Sequence, residues 1–197
     1  MTNPPSARQR ILNVVCDLFY REGIRAVGID TIVERSGVAK MTLYRYFPSK
    51  DDLIVAYLED RNRAFWDWFE RAISQHTESP REQLLALFSA LAALAEQPTC
   101  LGCPFLNTAT EFPERDYVGH QVAVAHKMAV RERLAHLAYK AGARNPGQLA
   151  DQLLLLMDGV YMAARLFGSA GSASAVETAA ATLIEAQLPS NSGSTAP

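Results

Sequence analysis

Cysteine is scarce in this chain, with three among 197 residues, and the odd number excludes a fully paired disulfide scaffold of the secreted kind. Long hydrophobic runs are missing too. The longest, Leu84 to Ala95, has 12 residues with Ser89 inside it, against the roughly 20 needed to cross a bilayer. The opening Met1-Thr2-Asn3-Pro4-Pro5 lacks the basic-then-apolar order of a secretory signal, so the expected location is the cytoplasm. No stretch alternates polar and apolar residues as a strand would, and no segment repeats. With 49% hydrophobic and 20% charged residues, the composition is that of a folded globular chain.

The net charge of −2 hides an asymmetry. Residues 1–50 hold eight basic and four acidic side chains, while residues 51–197 hold 11 basic and 17 acidic ones. A basic head on an acidic body speaks about partners rather than fold, and it points to nucleic acid.

What is present is helical. Ser6-Ala7-Arg8-Gln9 reads as a capping box, followed by Ile11, Val14, Val15, Leu18 and Phe19 on one helical stripe, with Gly23 as the stop. Two short segments follow, about 28–35 with Ile32 and Val33 inward, and about 39–46 with Leu43, Tyr46 and Phe47, ended by Pro48. The turn Ser36-Gly37-Val38 between them makes a helix-turn-helix pattern. Ser49-Lys50-Asp51-Asp52 opens a long amphipathic helix of about 51–77. Further helices are expected at about 81–96, 117–141, 148–167 and 173–188, with loop or broken helix over Pro98 to Asp116 and a linker at 168–172. From Pro189 the Ser/Gly/Asn/Thr/Pro composition predicts a disordered tail. The fold class is all-α, divided as 1–50, 51–188 and a tail of 189–197.

The segment Gly37-Val38-Ala39-Lys40-Met41-Thr42-Leu43-Tyr44-Arg45-Tyr46-Phe47-Pro48-Ser49-Lys50-Asp51-Asp52-Leu53, with Phe19, Gly23, Ile32 and Val33 spaced upstream, resembles the DNA-binding signature of the TetR family of transcriptional regulators. Cys100-Leu101-Gly102-Cys103-Pro104-Phe105-Leu106-Asn107 with Glu111-Phe112-Pro113 resembles the LmrA/YxaF-like C-terminal domains of a subgroup. The resemblance implies an N-terminal three-helix DNA-binding domain and a larger helical domain that binds an effector and dimerises. Three positions depart from the family pattern: Met41 where Gly is common, Ala39 where Ser often caps, and Val27-Gly28 in place of a hydroxyl pair.

Phosphate contacts supply affinity and base contacts supply sequence choice. Lys40 or Arg45 would donate to guanine O6 and N7, a contact worth roughly 1–3 kcal/mol of discrimination when bidentate. Met41 and the Thr42 methyl suit a thymine methyl. The resemblance implies that Tyr44 is shared between base and backbone and that Tyr46 and Lys50 hold phosphates. Asp30 and Glu34 are expected to face away from DNA or to pair with a base such as Arg35.

For an effector pocket, the apolar candidates are Trp66, Phe69, Phe88, Phe105, Phe112, Met157 and Tyr161, with Asn107, Thr108 and Asp158 as polar anchors. Cys100 and Cys103 admit three readings: buried packing, a redox couple, or half a zinc site. His76, His120, His126 and His136 are scattered, with no nucleophile beside them at a catalytic spacing, and are expected at the surface or an interface. No catalytic, metal or cofactor site is expected. The last two helices, rich in leucine over 153–156, are the expected homodimer interface, which would set two recognition helices on a palindromic duplex. The function so implied is a ligand-responsive DNA-binding regulator, a repressor released by a small apolar or aromatic molecule. The alternative is a thiol-redox or metal-responsive helical protein built on Cys100 and Cys103.

Overall fold

A computed structural model describes residues 5–168, 171 and 173–189. Among these the chain is helical, with α1 (Ala7–Glu22), α2 (Ile29–Ser36), α3 (Lys40–Tyr46), α4 (Lys50–Ile73), α5 (Pro80–Ala95), α6 (Pro104–Glu111), α7 (Val118–Lys140), α8 (Pro146–Phe167) and α9 (Ala175–Gln187), and a 3-10 turn, Ser74–His76, after α4. The expected tail beyond residue 189, and Ser169, Ala170 and Ser172 of the expected linker, lie outside the described residues.

Local signals account for most boundaries. Ser6 Oγ accepts from Gln9 N–H at 3.2 Å, but the Gln9 side chain donates to Asn13 instead of closing the capping box. Gly37 ends α2 in the left-handed conformation, φ 61°, where its N–H reaches Val33 and Glu34 carbonyls. Ser49 and Asp52 cap α4 reciprocally: Ser49 Oγ accepts from Asp52 N–H, and the Asp52 carboxylate accepts from Ser49 N–H. Two signals read differently from the sequence. Asn145-Pro146, which after Gly142 reads as the close of the helix expected over about 117–141, opens α8: Asn145 Oδ1 accepts from Gln148 N–H at 3.1 Å and proline occupies the first turn. The stretch 98–116, expected as loop or broken helix, contains the eight-residue α6, opened by Pro104.

The chain forms two compact units, Met1–Trp66 with Cys103–His126, and Asp67–Gly102 with Lys127–Pro197. In the first, α1, α2 and α3 enclose Ile11, Val15, Phe19, Ile32 and Leu43, each nearly inaccessible, and Phe19 meets the Tyr57 ring edge-on at 5.6 Å. Burial of each such side chain contributes about 1.5–3 kcal/mol. Val33, expected inward, is only half-buried. In the second, α5 packs on α8 and α9, and α8 on α9, around Leu87, Leu91, Leu153, Met157, Ala180 and Ile184. Arg144 closes the end of α9, its N–H donating to Gln187 O at 2.9 Å and its guanidinium to Ala186 O.

Candidate nucleic-acid interface

Helix α3 sorts its side chains by helical geometry. Leu43, and Phe47 just after it, point inward and are buried. Exposed on the same helix are Met41, at 85%, Tyr44 at 41% and Tyr46 at 39%. An exposed methionine of that degree on a seven-residue helix has no packing role, and it leaves an apolar head available for a partner. Arg45 stacks its guanidinium over the Tyr46 ring at 5.1 Å, which fixes both side chains on one surface.

Lys40 Nζ lies 2.7 Å from Asp30 Oδ1 of α2. The sequence suggested Arg35 as a partner for Asp30; the structure gives Lys40, because ten residues of helix, turn and helix bring their tips together. Lys50 holds its Nζ over the Phe19 ring, 6.0 Å from the centroid. Burial pushes its pKa below the ordinary lysine value, with the charges of Glu111 and Asp51 acting in the opposite sense. Of the positions that depart from the family pattern, Val27 is buried, and Ala39 and Gly28 begin their helices without a side-chain cap.

The expected effector residues fall in both units. In the first, Phe105 stacks on His126 with centroids 3.6 Å apart and planes at 7°, Phe65 meets the same imidazole edge-on at 4.8 Å, and Trp66 lies tilted at 6.4 Å. His126, expected at the surface or an interface, is buried at 5% exposure, and its Nδ1 lies 2.8 Å from Asn62 Oδ1. The rings around it come from α4 and α6, so no spacing within α7 marks its burial. Asn107 and Phe112 are half-buried, and Phe112 stacks on Tyr117. In the second unit Phe69, Phe88, Met157 and Tyr161 are buried, and Arg133 covers Phe69 while pairing with Glu70 at 3.1 Å. Thr108, weighed as a polar anchor, donates its hydroxyl to Pro104 O, and Asp158 is held by Lys127.

Sequence reasoning passed over one polar group on α4. The Nε of Arg61 is buried without an acceptor among the described residues, while its Nη2 donates to Asp60 at 2.6 Å. Asp60 also accepts from the Cys16 thiol at 3.4 Å. Burial raises the Asp60 pKa, but the Arg61 hydrogen bond and charge outweigh it and hold the carboxyl below its usual range. Burial dominates at Cys16 and pushes the thiol up to about 12. All three cysteines are buried with free thiols. Among the described residues no group of three or more His, Cys, Asp or Glu side chains is placed to hold a metal, and no helix is long and apolar enough to cross a membrane.

Residues 11–57 match the bacterial regulatory proteins of the tetR family, and residues 80–181 match the Tetracyclin repressor-like C-terminal domain. The chain belongs to the TetR family. A TetR-family transcriptional regulator from Streptomyces coelicolor superposes with a TM-score of 0.83 at 30% identity, over 93% of this chain and 89% of that one. The HTH-type transcriptional regulator YjdC of Escherichia coli is 23% identical over 152 residues, 77% of this chain and 80% of its own length. The HTH-type transcriptional repressor KstR2 of Mycolicibacterium smegmatis is 29% identical over 92 residues, 45% of this chain and 43% of that protein. These relatives are regulators of transcription and not enzymes, and this TetR-family chain is a DNA-binding transcriptional regulator with an N-terminal helix-turn-helix.

Proposed function

We propose that this regulator is a repressor that leaves a palindromic operator when a small apolar or aromatic effector binds. Residues 1–50 carry the DNA contacts, with Lys40, Met41, Thr42, Tyr44 and Arg45 toward base edges and Tyr46 and Lys50 toward phosphates. Residues 51–188 carry effector binding and dimerisation in a body of the LmrA/YxaF-like kind. The exposed face of α3, apolar at Met41 and cationic at Arg45, supports the first assignment.

The observation that carries the effector half is the buried, unaccepted Nε of Arg61 on α4. A buried donor without a partner costs about 1–3 kcal/mol, and a carboxylate or carbonyl on an incoming molecule would satisfy it. Dimerisation is supported by α8, where Leu155, Met162 and Leu166 stand exposed with Gly159 on one face at spacings of four, three and four residues.

The test begins with selection of a duplex from a random-sequence pool by the full-length protein. A panel of apolar and aromatic acids is then screened for release of that duplex. Arg61→Met should leave ligand-free affinity intact and blunt release by any active compound. A panel in which no compound both raises the thermal midpoint and lowers operator affinity overturns the reading.

A further inference from the structure

We infer that Glu111 and Tyr117 are positioning residues for operator recognition, fastening both ends of the helix-turn-helix segment to one short stretch of chain between α6 and α7. The inference rests on α3 reading DNA and needs no effector.

The first fastening is at the α1–α2 turn. The backbone N–H groups of Ile24 and Arg25 donate to the two oxygens of the Glu111 carboxylate, at 3.0 and 2.8 Å. Arg25 returns the contact, its Nε donating to Glu111 O at 2.7 Å while its guanidinium lies 4.6 Å over the Phe112 ring. Hydrogen bonds from backbone amides to an ionised acceptor are about twice as strong as neutral ones. Gly23 allows this approach twice over: its φ is +89°, and a Cβ there would sit 3.3 Å from the Glu111 carboxylate.

The second fastening is just past α3. Tyr117 Oη donates to Asp51 Oδ1 at 2.6 Å, in the first turn of α4. The Tyr117 ring stacks on Phe112, centroids 4.4 Å apart and planes at 19°. Gly119 leaves room for it, since a Cβ there would be 3.0 Å from that ring. Residues 24–25 and 51 flank α2 and α3 in sequence, and both are held by residues 111 and 117, which share Phe112 as an anvil. The intervening segment therefore has both ends fixed, and the angle of α3 is set before DNA arrives. Released, it would have to be ordered on binding, which lowers affinity without removing any DNA contact.

Charge makes the inference decidable. Glu111 is an acid whose field reaches Lys50, a proposed phosphate contact. By charge alone, neutralising it should tighten DNA binding; as a positioning residue, neutralising it should weaken binding. The full-length protein, Glu111→Gln and Tyr117→Phe are titrated by anisotropy against the labelled duplex that the native chain selects from a random pool, across a salt series. Glu111→Gln should bind about tenfold more weakly and Tyr117→Phe severalfold more weakly, with the slope of log affinity against log salt unchanged, because a lost phosphate contact alone would shift it by about 0.9. In the free protein, Glu111→Gln should speed amide exchange at Ile24 and Arg25 while the thermal midpoint of the whole chain holds. Unchanged or tighter binding by both variants, a slope reduced by a full contact, or undiminished amide protection in Glu111→Gln would overturn the inference. Tyr117→Phe keeps the ring stack and serves if the other variant fails to fold. A native chain that selects no duplex refutes the DNA reading itself, and the exchange measurement still judges the fastening.

Discussion

Lys40 at the start of the recognition helix and Asp30 on α2 form an ion pair, Nζ to Oδ1 2.7 Å, with both side chains more than half exposed. A pair so open to water contributes little to stability. Its consequence is for the proposed DNA contact: Lys40, assigned above to base edges, is shared with a carboxylate that phosphate would repel. Asp30→Asn is expected to tighten binding to unselected duplex severalfold and to steepen the salt dependence by about 0.9, the signature of one added phosphate neutralised. Selectivity for the preferred duplex should fall accordingly. Competition of selected against random DNA across a salt series checks this, and a slope unchanged from that of the native chain would show that Lys40 is not freed toward the backbone.

Tyr46 and Lys50 make the opposite prediction. If each holds a phosphate, Lys50→Ala should weaken binding by about tenfold and flatten the salt slope by about 0.9, uniformly across sequences. Tyr46→Phe, which keeps the ring beside Arg45 and removes the hydroxyl, should cost less and leave the slope unchanged. Met41→Ala should leave stability untouched, because the side chain packs on nothing, and should change which bases are preferred. Leu43→Ala, two residues on, should destabilise the fold by about 2–5 kcal/mol in urea, since that side chain is fully buried.

The contrast between Met41 and Leu43 shows how far the sequence is readable. Periodicity of 3.6 distinguishes an inward from an outward position, so the all-α class and the sorting of α3 follow from the string of residues. The capping chemistry at Ser6, Ser49 and Gly37 is equally local. Asn145-Pro146 is local as well, but proline marks a helix start and a helix stop alike, and only the downstream N–H at Gln148 decides between them. What periodicity cannot supply is which distant groups meet. Asp30 with Lys40, Glu111 with the 24–25 turn, and His126 between Phe65 and Phe105 are pairings across 10, 86 and 21 or more residues, fixed by the packing of helices whose angles no short pattern encodes. The effector residues proposed from aromatic content fall in two units for the same reason: composition marks what is buried, not what faces a ligand.

The α8 face gives a prediction about assembly. Leu155 and Leu166 are 72% and 68% exposed on the same side of α8, a poor use of leucine unless another surface covers them. Leu155→Glu with Leu166→Glu should convert the proposed dimer to a monomer in sedimentation and reduce operator affinity by more than tenfold, since one half-site then binds alone. If the native protein dimerises through this face, its thermal midpoint should fall at low concentration and that of the double variant should not. A double variant that remains dimeric would place the interface elsewhere.

The last prediction concerns the thiols. Burial against Asp60 pushes the Cys16 thiol from its ordinary 9.0 up to about 12, so the folded state favours the protonated form more than the unfolded state does. A group with a raised folded pKa contributes stability below its unfolded value and loses that contribution as pH climbs toward its folded one. The native chain should therefore lose urea stability between about pH 9 and 12 more steeply than Cys16→Ala, which lacks the titrating group. At pH 8 the same burial and protonation should leave Cys16 unreactive toward iodoacetamide until the fold is opened. Cys100 and Cys103, buried as well, should be slow for want of access, and Cys103→Ser should bind the selected duplex as the native chain does, with or without prior peroxide. A native protein that loses operator affinity on oxidation, and a Cys103→Ser variant that does not, would move control of this regulator from an effector to its thiols.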